Sequence, residues 1–120
     1  MLFRSVAGVA VAREWGNRPA NRATPSDLAN AAKALAKHPR IACQVLGEKE
    51  ITRLGMGSFA AVAQGSAQPM KFIVLQYTGA PASQAPVVLI GKGITFDTGG
   101  ISLKPGPGID RKSTRLNSSH

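Results

Sequence analysis

Apolar and polar positions alternate between two periods along the chain, and the changes of period mark out the elements. Val6 to Trp15 is a run of small and apolar residues that ends in Arg13 and Glu14, and it predicts a helix with a smooth packing face despite Gly8. Asn17, Pro19 and Asn21 stop it. Thr24-Pro25-Ser26-Asp27 then has the chemistry of a helix start: a capping hydroxyl, a proline at the first helical position and a carboxylate three residues after the cap. In the following SDLANAAKALAKH, Leu28, Ala31, Ala32 and Leu35 recur at helical spacing and should face inward. Lys37 and His38 suit the negative end of the helix dipole, and Pro39 closes it. His38, with no second histidine or cysteine beside it, is read as a helix-end surface residue and not a metal ligand.

Ile41 to Leu46 alternates and predicts a strand, Gly47 turns, and Glu48 to Leu54 predicts a short helix with Ile51 and Leu54 inward. The segment from Gly55 to Ser66 reads as a short helix around Phe59 and Val62 that opens into Gln64-Gly65-Ser66, with Met56 as core filler. Phe72 to Tyr77 is a second strand, and Thr78 to Ala85 a polar loop. Val87 to Ile90, four consecutive apolar residues, predicts a third strand buried on both faces, antiparallel to the second across that short loop. It empties into GKGITFDTGGISLKPGPG, a glycine-rich loop of the kind that carries chemistry at strand ends of α/β sheets.

Composition changes this picture little. Hydrophobic residues at 43% of 120 suit one packed domain, and the order of elements predicts an α/β fold with a mixed sheet. Cys43 is the only cysteine, so an internal disulfide is excluded; its alternation with Ile41 and Val45 makes it a small buried hydrophobe, and a cytoplasmic location is expected. No segment has the apolar length of a membrane span. The formal charge of +9 raises nucleic acid as a partner, but the basic residues are dispersed singly and scarcely interleaved with aromatics, which predicts a solvated basic surface. Part of that charge is expected to be foreign. DRKSTRLNSSH, residues 110–120, reads as the translation of a short-read sequencing adapter, and LFRS near the other end reads as its counterpart, giving residues 1–5 and 110–120 as adapter-derived. Without them, the loss of Arg4, Arg111, Lys112, Arg115 and Asp110 lowers the formal charge to +6.

The central loop carries Lys92, Asp97 and Lys104. A carboxylate can bridge two divalent cations, a desolvated lysine can coordinate one, and a charged lysine can stabilise an oxyanion. The same residues would equally serve as solvated cations and a turn cap. A phosphate-binding loop is a poorer fit, because Gly91-Lys92 is followed by Gly93 and not by serine or threonine.

GKGITFDTGGISLKPGPG resembles the signature of the leucine aminopeptidase (cytosol aminopeptidase) family, and AREWGNRPAN, LGMGSFAAVAQGS and FIVLQY resemble the sequence leading up to it. The resemblance implies that residues 6–23 are an interdomain linker helix and residues 24–109 the N-terminal part of a three-layer α/β/α catalytic domain with a mixed sheet. It implies an exopeptidase that releases N-terminal residues, often leucine, from peptide substrates, uses two divalent ions (zinc or manganese), and assembles as a homo-hexamer. By the same resemblance Lys92 ligates one metal, Asp97 bridges both, and Lys104 is the catalytic lysine that polarises the scissile carbonyl. Asp110 is assigned no metal role. The family's second aspartate and its downstream acidic cluster with an arginine are not in this sequence, so the chain alone is expected to be inactive. Two other classes of role stay open: nucleic-acid binding, and a non-catalytic fragment that docks into an oligomer.

Overall fold

The computed structural model describes residues 2–106. The expected adapter-derived tail at 110–120, Asp110 included, lies outside the described residues, as do 107–109. The described chain forms two compact units: Pro25–Val88, and separately residues 2–24 with 89–106. It is α/β in class, with a leading helix, three further helices and a small sheet.

In the unit Pro25–Val88 the elements are α2 (Pro25–Leu35), β1 (Ile41–Leu46), α3 (Glu48–Arg53), α4 (Gly57–Ala63) and β2 (Phe72–Tyr77), following α1 (Leu2–Asn17) of the other unit. β1 and β2 pair antiparallel in a register that sets Ile41 against Tyr77 and Leu46 against Phe72. The Thr78 amide extends the ladder by donating to the Arg40 carbonyl oxygen at 2.9 Å. α2 lies chiefly against β1, and α3 links β1 to α4. Ala29 and Ala32 are the buried residues of α2, with Leu28 and Ala31 half-buried. The inward face is therefore turned by about one residue from the expected row, and Leu35 at its end is 54% exposed. Small alanines allow the helix to approach the strands closely, and a leucine at the last helical position projects past them.

Ile51 is fully buried and anchors α3. Burying a side chain of that size contributes about 1.5–3 kcal/mol. Leu54, expected to share its face, is 58% exposed, because α3 ends at Arg53 and the chain turns away through Gly55 at φ +67°. Glu50 closes the start of α3 by accepting the Gly47 amide at 3.0 Å; its pKa is lowered first by its own backbone amide and then by this bond. Phe59 meets Phe72 edge to face at 5.6 Å and ties α4 to β2, whereas Val62 points outward at 64% exposure. Cys43 is half-buried on β1, and His38 is exposed and accepts the Arg40 amide through Nδ1, in keeping with a helix-end role.

Two expectations need correction. Val87 to Ile90 is not a buried strand: it has no regular structure, all four residues are highly exposed, and β2 pairs with β1 instead. An apolar strand buried on both faces exists only where strands flank it and helices cover it. Among the described residues β1 and β2 satisfy each other, and no other strand stands beside this run. α1 begins at Leu2, includes LFRS, and lacks a packing face: Val6, Val9 and Val11 are all exposed. At about 100° per residue, Val11 falls opposite Val6 and Val9 while Arg13 falls in their row, so no apolar stripe forms. Its last turn is held by Glu14, which accepts Arg18 Nε at 2.9 Å, and by the Arg18 guanidinium stacked 4.2 Å from the Trp15 ring centre.

Candidate functional site

The loop from Lys92 to Lys104 gathers the three charged residues singled out from the sequence around one carboxylate. The Asp-Thr-Gly sequence at 97–99 makes the local turn: Asp97 Oδ1 accepts the Gly99 amide at 2.9 Å, two residues on. Gly99 and Gly100 follow at φ +93° and +65°, a backbone that residues with a β-carbon resist, and this reverses the chain. The Lys104 amide then donates to the Thr98 carbonyl oxygen at 2.9 Å, and Lys104 Nζ donates to the Asp97 carbonyl oxygen at 2.7 Å. The other carboxylate oxygen, Oδ2, lies 3.5 Å from both Lys92 Nζ and Lys104 Nζ.

The magnitudes rank these contacts. Ion pairs of partly exposed groups contribute about 0.2–1 kcal/mol, whereas a hydrogen bond to a charged group contributes about 1.5–3 kcal/mol. The Gly99 amide is thus the main determinant of where Asp97 points, and the lysines are secondary. The carboxyl's pKa is lowered below the usual aspartate value of 3.8, chiefly by the Gly99 bond; burial is the next influence and opposes it, and Lys104 and Lys92 follow with smaller lowering effects. A lowered carboxylate stabilises the folded loop above the unfolded value and ceases to do so as pH falls through the folded one. The loop is therefore expected to keep its Asp97 contacts above pH 3.8 and to lose them on acidification below it, with a carboxyl carbon titration midpoint under 3.8 as the check. A midpoint above 3.8 would refute this.

Sequence reasoning located all three side chains but missed the Gly99 amide and the Thr98 carbonyl. The signal for the first was present, since aspartate two residues before glycine is a common side-chain-to-backbone turn. The second depends on the reversal at Gly99 and Gly100, which a pattern of residue types does not specify.

The donor set was tested against the divalent ions that the resemblance implies. An amine nitrogen and a carboxylate oxygen suit zinc or manganese in type. Two ligands on one ion with bonds of about 2.1 Å lie roughly 3–3.5 Å apart, and Lys92 Nζ and Asp97 Oδ2 are 3.5 Å apart. The pair fits, with the requirement that the amine give up its proton to coordinate. Among the described residues, no group of three or more histidine, cysteine, aspartate or glutamate side chains gathers to complete such a site. The loop thus holds part of a ligand set.

Helices with a small sheet, and a glycine loop that draws two lysines onto one aspartate, define an α/β protein with a charged loop site. Residues 10–115 match the sequence model of the cytosol aminopeptidase family, catalytic domain. The chain is 67% identical over 106 residues to a probable cytosol aminopeptidase of Variovorax paradoxus (strain S110), covering 88% of this chain and 21% of that protein. It is 66% identical over 104 residues to a probable cytosol aminopeptidase of Acidovorax sp. (strain JS42), covering 87% and 21%. With one from Methylibium petroleiphilum (strain ATCC BAA-1232 / LMG 22953 / PM1) the identity is 65% over 103 residues, covering 86% and 21%. The chain belongs to the cytosol aminopeptidase family, and it spans about a fifth of the length of the curated relatives it matches. The family match begins inside the segment read above as a linker helix and extends past residue 109.

Proposed function

We propose that the parent protein is a metal-dependent aminopeptidase that releases N-terminal residues, leucine among them, from peptides, and that this chain carries the opening part of its active site. The observation that carries the reading is the convergence of Lys92 and Lys104 on Asp97 Oδ2, each at 3.5 Å. Lys92 and Asp97 would hold metal, with Asp97 shared between two ions of zinc or manganese. When bound, such ions lower the pKa of water and polarise a carbonyl oxygen. Lys104 lies beside the loop backbone, where its ammonium can donate to the scissile carbonyl oxygen as negative charge builds there. Its shortest contact, the Asp97 carbonyl oxygen at 2.7 Å, is a neutral acceptor that a developing oxyanion would outcompete, while the longer contact to Asp97 Oδ2 at 3.5 Å is the one that metal binding by Asp97 would weaken.

On this reading the 120-residue chain is inactive alone, since its described residues bring two donors to a site that needs more. Purified chain with millimolar zinc or manganese is expected to leave leucyl-anilide intact, while the parent expressed from its uninterrupted gene hydrolyses it. Hydrolysis by the chain, or none by the metal-loaded parent, would refute the proposal. A cytoplasmic location and assembly of the parent as a homo-hexamer follow from the same family resemblance. Light scattering on the parent tests the hexamer. Among the described residues, no helix is long and apolar enough to cross a membrane.

A further inference from the structure

We propose that Gly99 is a positioning residue that aims the Asp97 carboxylate before any metal arrives. The proposal rests on the reading of Asp97 as a metal ligand only for what the aimed oxygen is used for. The Gly99 amide takes Oδ1 at 2.9 Å, which leaves Oδ2 as the oxygen turned toward Lys92 and Lys104. A carboxylate free to rotate would present either oxygen; one held at Oδ1 presents the other in a single direction.

Only glycine can do this at position 99. Its φ of +93° disfavours any L side chain. A β-carbon there would also run into the Ser102 carbonyl oxygen and would lie 3.1 Å from Lys104 Cγ and 3.2 Å from the Lys104 amide nitrogen. The Ser102 oxygen and the Lys104 amide are backbone atoms, so they yield only if the reversal opens. Because the Lys104 amide and Nζ are themselves bonded to Thr98 and Asp97, opening it moves the lysine and the aspartate together. Gly100 gives an internal contrast. It also has a positive φ, of +65°, yet nothing lies within 4 Å of the place its β-carbon would take, and the amide that Asp97 Oδ1 accepts is that of Gly99. Substitution at 100 strains the backbone, whereas substitution at 99 strains it and displaces the neighbours.

Three variants of the full chain separate these effects: Gly99→Ala, Gly100→Ala and Lys104→Met, each metal-free, read by amide hydrogen exchange at position 99 and by the side-chain couplings that report the Asp97 rotamer. The spectrum of Pro25–Val88, including the Phe59–Phe72 ring contact, verifies that this unit keeps its fold in each variant, and the remaining amides of 89–106 report the loop's own unit. Gly99→Ala is expected to speed exchange at position 99 by about tenfold or more, the loss of one hydrogen bond to a charged group, and to average the Asp97 rotamer. Gly100→Ala and Lys104→Met should change exchange there less than about threefold, short of the loss of such a bond. A rotamer already averaged in the unsubstituted chain would overturn the proposal, as would equal effects of Gly99→Ala and Gly100→Ala, or a Lys104→Met effect as large as that of Gly99→Ala. A second arm adds manganese(II) as a paramagnetic probe. Broadening centred on Asp97 that weakens in Gly99→Ala supports use of the aimed oxygen for metal. If the rotamer and exchange results hold while manganese broadens nothing near Asp97, the aiming by Gly99 is established and the metal reading of the loop is the part that fails.

Discussion

Lys104→Met in the full-length parent is expected to lower kcat by about 10²–10³-fold, the loss typical of one donor to a developing oxyanion. The substitution keeps most of the apolar stem of the side chain and removes the ammonium group, with its charge and its donors. Metal content should stay near that of the unsubstituted protein, because Lys104 is not assigned as a ligand and the strongest hold on Asp97 is the Gly99 amide. KM should change far less than kcat, since the interaction strengthens only as the carbonyl oxygen gains charge. Lys104→Arg would preserve the charge but present a planar fork where Nζ now reaches the Asp97 carbonyl oxygen at 2.7 Å, so partial rescue is expected at most. Steady-state kinetics with metal analysis on each variant gives the check. A kcat within threefold of the parent's for Lys104→Met, below the loss expected for an oxyanion donor, would remove the lysine from the chemistry. Loss of metal in parallel with kcat would show that it acts through the ligands instead.

The second large effect concerns stability. Ile51→Ala is expected to destabilise the unit Pro25–Val88 by about 2–5 kcal/mol, the range for deleting a buried branched side chain and leaving a cavity. Ile51 is the one large side chain that is fully buried among the described residues, and the others buried there are alanines. A unit of this size has little stability in reserve, so much of the population should unfold. Leu54→Ala, at a position 58% exposed, should cost less than about 0.5 kcal/mol. Urea denaturation followed by circular dichroism distinguishes the two, and equal shifts would show that the core does not centre on Ile51.

Local chemistry made much of the fold legible. The starts of α2 at Pro25, β1 at Ile41 and β2 at Phe72 fall where capping residues, alternation and turn residues predict them. These signals act over a few residues and need no distant partner. Inward faces were harder to read. Leu35 and Leu54 were expected inward but are exposed, because each falls at or just past the end of a short helix, where the chain turns away. The largest difference is at Val87 to Ile90, whose apolar run specifies that the segment can be buried without supplying anything to bury it.

The same division runs through the loop. By itself the sequence singled out Lys92, Asp97 and Lys104 as the candidates, because they are the charged groups of a glycine-rich segment with a family resemblance. It also contained the Asp-Thr-Gly turn, since a carboxylate bonding an amide two residues on is a local event. Only the tertiary structure decided that both lysines meet the same carboxylate oxygen and that Gly99 holds the opposite one. That outcome depends on the path of the backbone between 97 and 104, where two consecutive glycines permit many reversals and contacts across the turn select one of them.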